Sequence, residues 1–321
     1  MYQIGIDIGG TNVKIGLLNE ALELCAEISI PFPHTTAEDM AAQIRAAVGP
    51  MLQARGAALS DVESLGAVVP GSIDAAGETV VDAHNLNFHN VPLRKILSDA
   101  FPGIPVYIAN DANGAALAEL YTGAFVGCKT GVLLTLGTGL GGGIILNGKV
   151  LMGAHAAAGE VSGLVSDISK MADDDFKLTS VERYSEAPLW AGMASASGLI
   201  FEYARRQKHL PMGSPMPTGE EIFAAYNAGE PEAQKALKIF ARRVAVGILS
   251  LQNVLDVERV AIGGGISAAE ALLPAIQAEL DWLFERCTVM PTVKPELVRC
   301  RYGNDANLIG ALKLFFEQNP A

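Results

Sequence analysis

The chain opens on a strict alternation. Ile4, Ile6 and Ile8 are separated by small or polar residues, and Val13, Ile15 and Leu17 resume the period of two after Gly9, Gly10 and Thr11. This predicts two strands joined by a polar glycine turn over residues 4–19, with a third strand over 22–30 closed by Pro31 and Pro33. The period then lengthens. Met40, Ile44, Ala47, Val48, Met51 and Leu52 recur at helical spacing over 37–55, and Glu38 and Asp39 occupy the first turn, where the helix dipole favours acids. Residues 62–69 read as a strand that empties into Pro70-Gly71. A helix over 93–101 and a buried strand over 105–109 follow, and that strand delivers Asn110-Asp111-Ala-Asn113 to an Ala-rich helix ending near Tyr121.

The pattern then returns to its beginning. A shift of 128 residues carries Ile6 onto Leu134, Ile8 onto Leu136, Gly9 onto Gly137 and Leu17 onto Ile145, with Leu22 falling on Val150 and Leu24 on Met152. A repeated strand-turn-strand unit at this separation implies two structurally related halves. Helices are expected over 194–208, 219–227 and 232–255. The second opens with the capping-box spacing Thr218-Gly-Glu-Glu221, and the third carries Leu237, Phe240, Ala241, Val244, Ile248, Leu251 and Leu255 on one face. A strand over 257–262, a helix over 268–285, a last strand over 298–301 and a closing helix over 304–316 complete an α/β pattern.

Composition narrows the functional classes. At 321 residues with half of its positions hydrophobic, the chain is long enough for two domains with their own cores. A formal net charge of −12 argues against broad nucleic-acid or membrane-surface binding, both of which rely on clustered Lys and Arg. Cys25, Cys128, Cys287 and Cys300 form no C-x-x-C pair, so neither a zinc knuckle nor a disulfide framework is suggested and a reducing compartment fits. No signal-peptide pattern precedes the first strand and no apolar run approaches membrane-spanning length. The expectation is a cytoplasmic protein.

The chemistry gathers at the glycine junctions. Gly9, Gly10 and Thr11 can bring backbone N–H groups against phosphate oxygens, with Asp7 holding Mg²⁺ through water and Lys14 offsetting anionic charge; a tight hairpin with surface charges reads equally well. Residues 80–93, with His84, Asn85, Asn87, His89 and Asn90, suit hydrogen bonding to hydroxyl groups or form an ordinary polar loop. Asp111 lies where a strand ends and a helix begins, so it is either a helix cap or a general base for a bound hydroxyl, with Asn110 orienting the same substrate. Gly263-Gly-Gly265 between a strand and a helix lets a flat ring or phosphate lie against backbone. Asp173-Asp174-Asp175 reads as a solvated loop. A nicotinamide fold is disfavoured, because Gly9-Gly10 connects two strands rather than a strand to a helix.

Taken together, Asp7-Ile-Gly-Gly-Thr11, Pro70-Gly71-Ser-Ile-Asp74, Asn110-Asp111-Ala-Asn113, Gly137-Thr-Gly139-Leu-Gly-Gly-Gly143, Ala158-Gly159-Glu160, Gly263-Gly-Gly265-Ile-Ser267 and Asp305-Ala-Asn-Leu-Ile-Gly310 resemble, in order and spacing, the ROK (repressor, open reading frame, kinase) sugar kinases. The resemblance spans essentially the whole chain. It implies an actin-like ATPase (ribonuclease H-like) fold of two α/β domains with ATP and sugar in a central cleft. Residues 1–117 with 303–321 would form the smaller domain and 118–302 the larger. It implies ATP-dependent phosphorylation of a sugar 6-hydroxyl with Asp111 as base. Gly71, Asn85, Asn110 and Glu160 would hold sugar hydroxyls. Gly9, Gly10, Thr11, Gly137, Thr138 and Gly139 would face phosphates, and Gly264 and Gly265 the adenosine. A homodimer is expected, as in relatives.

The departures from the family pattern are as informative. Most members follow Ala-Gly-Glu, after two residues, with a His that binds zinc and the sugar; here that position is Gly163, and the cysteine motif of the zinc site is missing. The motif's terminal Glu, a further sugar contact, aligns near Met193. Zinc is therefore not expected. Loss of polar partners at the C1 and C2 end of the sugar disfavours a free reducing sugar and leaves room for a C1 substituent, as in the zinc-less β-glucoside kinases, which Thr218-Gly-Glu-Glu-Ile-Phe223 also resembles. The alternatives are a glucokinase, an N-acetylmannosamine kinase or a sugar-sensing ROK protein. A ROK repressor would need an N-terminal helix-turn-helix before the strand at residue 3.

Overall fold

The computed structural model describes residues 1–32, 36–171, 189–207, 215–287, 292–302 and 306–318. The Asp173–Asp175 run and Asp305 lie outside the described residues. Two compact units divide the chain, one formed by 1–126, 149–158 and the C-terminal segment, the other by 127–148 and 159–303.

In the first unit the alternating isoleucines form β1 (Tyr2–Ile8), which the glycine turn links to β2 (Asn12–Asn19) and then β3 (Leu24–Pro31). After helix α1 (Ala37–Gln53) come β4 (Val62–Val69), β5 (Ser72–Ile73), β6 (Val80–Ala83), β7 (Phe88–Val91), α2 (Leu93–Ala100), β8 (Val106–Asn110) and α3 (Asp111–Thr122). The main sheet has the order β3-β2-β1-β4-β8. Strands β1, β4 and β8 are parallel, so their carboxyl ends share one edge.

Both faces of β1 are covered, as expected for a strand inside a parallel sheet. Ile4, Ile6 and Ile8 join one core cluster with Met40, Ile44, Val48 and Leu52 of α1. The other face is unusual. Gly5 lies opposite Gly16 on β2 and Gly66 on β4, which makes a row of residues without side chains across three strands. The closing helix, Ala306–Gln318, lies on that row. A Cβ at Gly66 would fall 1.9 Å from the Ala311 carbonyl oxygen, one at Gly5 2.6 Å from that of Leu308, and one at Gly16 2.9 Å from a Leu308 methyl carbon. On the helix itself, a Cβ at Gly310 would fall 1.8 Å from the Gly114 oxygen of α3. Helix and sheet therefore meet backbone to backbone.

The second unit contains β9 (Gly131–Leu136) and β10 (Leu140–Leu146), and a two-residue strand, β11 (Lys149–Val150), follows in the segment that belongs to the first unit. Helices α4 (Trp190–Ala194), α5 (Ala196–Arg206), α6 (Gly219–Asn227) and α7 (Pro231–Leu255) lead to β12 (Arg259–Gly263), α8 (Leu272–Phe284) and β13 (Glu296–Arg299), and the closing helix is α9. β9 pairs antiparallel with β10 and parallel with β12, which pairs parallel with β13. That repeats the order and direction of β2-β1-β4-β8, so the internal repeat read from the sequence is present. Helix α7 buries Leu237, Phe240, Ala241, Val244, Ile248 and Leu251 and packs against α4, α5, α6 and α8. Among the described residues no helix is long and apolar enough to cross a membrane.

Several expectations need correction. The third strand of the repeat is present but short: β3 has eight residues, β11 has two, and Met152 lies in no strand. Residues 80–93 are not a loop but β6, a single 3₁₀ turn and β7 in a small three-stranded sheet, with Asn85, Asn87, His89 and Asn90 exposed. The helix expected over 194–208 is α5, which begins at Ala196 because Ser195 is extended and caps it by accepting from Gly198 N, and a separate short helix, α4, precedes it. The strand over 298–301 sits two residues earlier. The glycines at 263–265 lead into a 3₁₀ turn, with α8 starting only at Leu272, so no α-helix N-terminus stands at them.

The glycine row predicts a graded response to Ala substitution, read as the urea midpoint of unfolding. Gly66→Ala, which meets fixed backbone, is expected to cost at least about 2 kcal/mol. Gly5→Ala should cost less, and Gly16→Ala least, because a leucine methyl can move aside.

Candidate active site

At the carboxyl edge of the first sheet, the parallel register sets Asp7 beside Val68 and Val69 beside Asn110. Asp7, Gly71 and Asn110 are thereby brought to one edge by strand pairing alone. Asn110 is the N-cap of α3: its Oδ1 accepts from Ala112 N (2.9 Å) and Asn113 N (3.2 Å). Its Nδ2 donates to Gly71 O at 2.9 Å, tying the Pro-Gly end of β4 to the start of α3. Asp111 is the first residue of the helix, half-buried, with Oδ1 accepting from Ala112 N at 2.8 Å. Capping thus falls to Asn110, and Asp111 is presented at the helix start.

Asp7 shares a sheet face with Gly5, the face covered by α9. Burial pushes its carboxyl above the usual carboxylate range, while a hydrogen bond from Asn307 of α9 and the Lys14 charge pull it back down. Lys14 lies directly across from Asp7 on β2 and is shared, with its Nζ 3.3 Å from Glu27 Oε1. The turn closes with Gly9 N donating to Asn12 O. Asn85 reaches the same turn: a Cβ at Gly10 would lie 3.4 Å from Asn85 Cβ. Thr11 is exposed. The first unit therefore brings Asp7, Gly9, Gly10, Thr11, Lys14 and Asn85 together around one turn, and Gly71, Asn110 and Asp111 around another.

In the second unit the equivalent turn is Gly137-Thr138-Gly139, closed by Gly137 N donating to Gly139 O. It is anchored to the start of α5, where Ala196 N donates to Gly137 O and Ser197 Oγ to Thr138 O at 2.8 Å. Gly264 stands at φ +85°, and a Cβ there would meet Leu136 backbone at 2.5 Å, so this strand end lies directly under the 137–139 turn. Gly265 has open space in the Cβ direction. Glu160 precedes a 3₁₀ turn over 161–163. It is solvent-exposed by area, yet surrounding protein atoms still push its carboxyl above the usual range by desolvation. Its neighbour Gly159 packs on β10 so closely that a Cβ would lie 2.7 Å from Gly142 O.

Asn307 is the partner of Asp7 that the sequence does not point to. It lies inside the quoted C-terminal motif, but its contact with Asp7 spans nearly the whole chain, and only the glycine row reveals that α9 crosses β1 there. Among the described residues no group of three or more His, Cys, Asp or Glu side chains is placed to hold a metal. Asp7 as a lone carboxylate fits Mg²⁺ that keeps most of its water and takes phosphate oxygens as ligands.

Two α/β units with a shared strand order, each ending in a glycine turn at its sheet edge, define the actin-like ATPase fold of sugar kinases. The chain belongs to the ROK family, whose family model matches residues 3–318. It is 30% identical to a glucokinase of Halalkalibacterium halodurans over 96% of this chain and 93% of that protein. It is 28% identical to a beta-glucoside kinase of Listeria monocytogenes over 97% and 96%. Among solved structures, a ROK family glucokinase from Streptomyces griseus in complex with glucose and AMPPNP superposes with a TM-score of 0.77 at 27% identity, covering 98% of this chain and 99% of that one. The family read from the motifs is the family found.

The two bonds of Asn110 are separable. Asn110→Ala is expected to lower stability by ~1–2 kcal/mol through loss of the cap, whereas Asn110→Asp keeps the cap and loses only the tie to Gly71. Thermal unfolding of the three proteins checks the order wild type, Asp, Ala.

Proposed function

We propose that this protein is an ATP-dependent sugar kinase that phosphorylates the 6-hydroxyl of a β-glucoside, with Asp111 as general base. The observation that carries the reading is the carboxylate at the start of α3, on the carboxyl edge of a parallel sheet, with its neighbour Asn110 doing the capping. An acid in that place accepts the hydroxyl proton as the oxygen attacks the terminal phosphorus. Asn110 keeps one N–H for a sugar hydroxyl, and Gly71 and Asn85 contribute from the same unit. From the second unit, Glu160 accepts from further hydroxyls. N–H groups of Gly9, Gly10 and Thr11, and of Gly137, Thr138 and Gly139, face the phosphates, with Gly264 and Gly265 against the adenosine. Mg²⁺ arriving with ATP offsets phosphate charge, and Asp7 would hold it through water, oriented by Asn307 and balanced by Lys14.

Support for a glycoside rather than a free sugar comes from Gly163. Nothing lies within 4 Å of a Cβ built there, so the place of the family's histidine is open. The likeness to a beta-glucoside kinase over nearly the full chain agrees, and the likeness to a glucokinase supports a glucose-configured ring. The protein acts in the cytoplasm, as a homodimer, on this reading.

An ATP-coupled assay over glucose, N-acetylmannosamine, methyl β-glucoside and cellobiose tests the assignment. A β-glucoside is expected to have the highest kcat/KM, and a large preference for free glucose would overturn the glycoside reading. Asp111→Asn should lower kcat by ~10²-fold or more. For Glu160 the sign follows from its raised pKa: at mildly acidic pH it is protonated more than an ordinary glutamate and stops accepting hydrogen bonds from the sugar. KM for sugar is therefore expected to rise as pH falls through that range, and Glu160→Gln to flatten the dependence.

A further inference from the structure

Lys14 carries its charge close to the Gly9–Thr11 turn, and the strand register shows in which direction that charge is held. Across β1, β2 and β3 the residues Asp7, Lys14 and Ser29 form one row, and Gly5, Gly16 and Glu27 form the next. Strand β1 runs toward the carboxyl edge and ends at Ile8, so the second row lies two residues, about 7 Å, farther from that edge. Glu27 is thus the rearward diagonal neighbour of Lys14. Their side chains meet, with Lys14 Nζ 3.3 Å from Glu27 Oε1, a span that a long side chain covers across such a diagonal.

The direction of this pair matters for the turn. An acid placed toward the edge would keep the ammonium beside the turn, whereas Glu27 draws it away. The next positions of the same face toward the edge are Asn12 and Pro31, which carry no charge. The pair is also exchangeable. Both side chains keep contact with water, at 24% and 33% exposure, and ion pairs screened in this way shift an equilibrium by at most about fivefold. A triphosphate brings more than one negative charge to the turn, and its attraction for Lys14 grows in proportion.

We propose that Glu27 is a positioning residue that acts through Lys14, holding its ammonium back from the Gly9–Thr11 turn in the free protein and yielding it to the nucleotide phosphates. This rests on the ATP-dependent reading above and adds a control on nucleotide affinity to it. Binding exchanges one partner of Lys14 for another. Glu27 therefore weakens the hold on substrate and product nucleotide alike, and it leaves the sugar untouched.

A double-mutant cycle tests the proposal, with the dissociation constant of MgADP measured by titration calorimetry for wild type, Glu27→Gln, Lys14→Met and the double variant. Glu27→Gln is expected to tighten MgADP about threefold, within the limit set by a screened pair, and to lower KM for MgATP by a similar factor with KM for the sugar unchanged. Lys14→Met should weaken MgADP, and adding Glu27→Gln to it should change nothing further. Unchanged or weaker MgADP binding by Glu27→Gln would overturn the proposal. So would an equal tightening in the Lys14→Met background, because Glu27 would then act on phosphate by direct repulsion and not through Lys14. Absence of saturable MgADP binding to the wild type would instead overturn the ATP-dependent reading itself.

Discussion

The first unit depends on a contact in which two backbones touch. Gly5, Gly16 and Gly66 form one row across β1, β2 and β4, and α9 rests on it at Leu308 and Ala311. Glycine in a strand interior is ordinarily a weakness, because it packs nothing and loses more entropy on folding. Here the missing side chains admit a helix at a distance that alanine would forbid. The strand periodicity then fixes what else that face can do. Asp7 is two residues beyond Gly5 and points to the same side, so the helix that fills the glycine row also brings Asn307 to the Asp7 carboxylate. Packing and electrostatics at the Gly9–Gly10 turn are thus set by one constraint, and the C-terminal segment belongs to the unit that begins the chain.

The second unit reuses the topology without the charges. Where the first turn has Asp7 and Lys14, the equivalent positions are Thr135 and Gly142, and the turn is held by the α5 start and by the close approach of Gly264 to Leu136. A common strand order therefore carries two different kinds of glycine turn, one flanked by ionisable side chains and one made of backbone alone. Gly142 gains a separate duty in exchange, since its bare Cα lets Gly159 pack against β10 and so places Glu160.

Much of this was legible in the sequence wherever one element decides its own structure. The β1–β2 alternation, the α7 stripe and the Thr218–Glu221 capping box formed where local spacing put them. The failures share a cause, which is that local signals were overruled by residues with unusual backbone or by distant partners. Residues 80–93 read as loop because Asn and His are turn formers, and Asn87 and Asn90 do take positive φ; but these are bends within a hairpin whose Val80, Ala83 and Phe88 are buried. Ala268, Ala269 and Ala271 have high helix propensity and suggest an earlier start for α8, but a 3₁₀ turn intervenes and Pro274 is tolerated only in a first turn, which sets the start at Leu272. The glycine turns and the strand end before α3 were legible residue by residue, but the contact of Asn307 with Asp7 was not, because no spacing rule links position 7 to position 307.

The ambiguity of Asp111 shows how a site and a fold share one set of atoms. An acid at a strand-to-helix junction is often a cap, and nothing in the sequence separates that duty from catalysis. The geometry divides the labour: Asn110 takes two orphan N–H groups of the helix with its oxygen and ties down the Gly71 carbonyl with its nitrogen. A side chain with both donor and acceptor is needed for this, which Asp, Ser or Thr in their usual protonation states do not supply in the same geometry. With the helix start secured by its neighbour, a carboxylate at position 111 is not required for the cap. Its remaining distinction is its place at the carboxyl edge of a parallel sheet, where ligands of open α/β sheets bind.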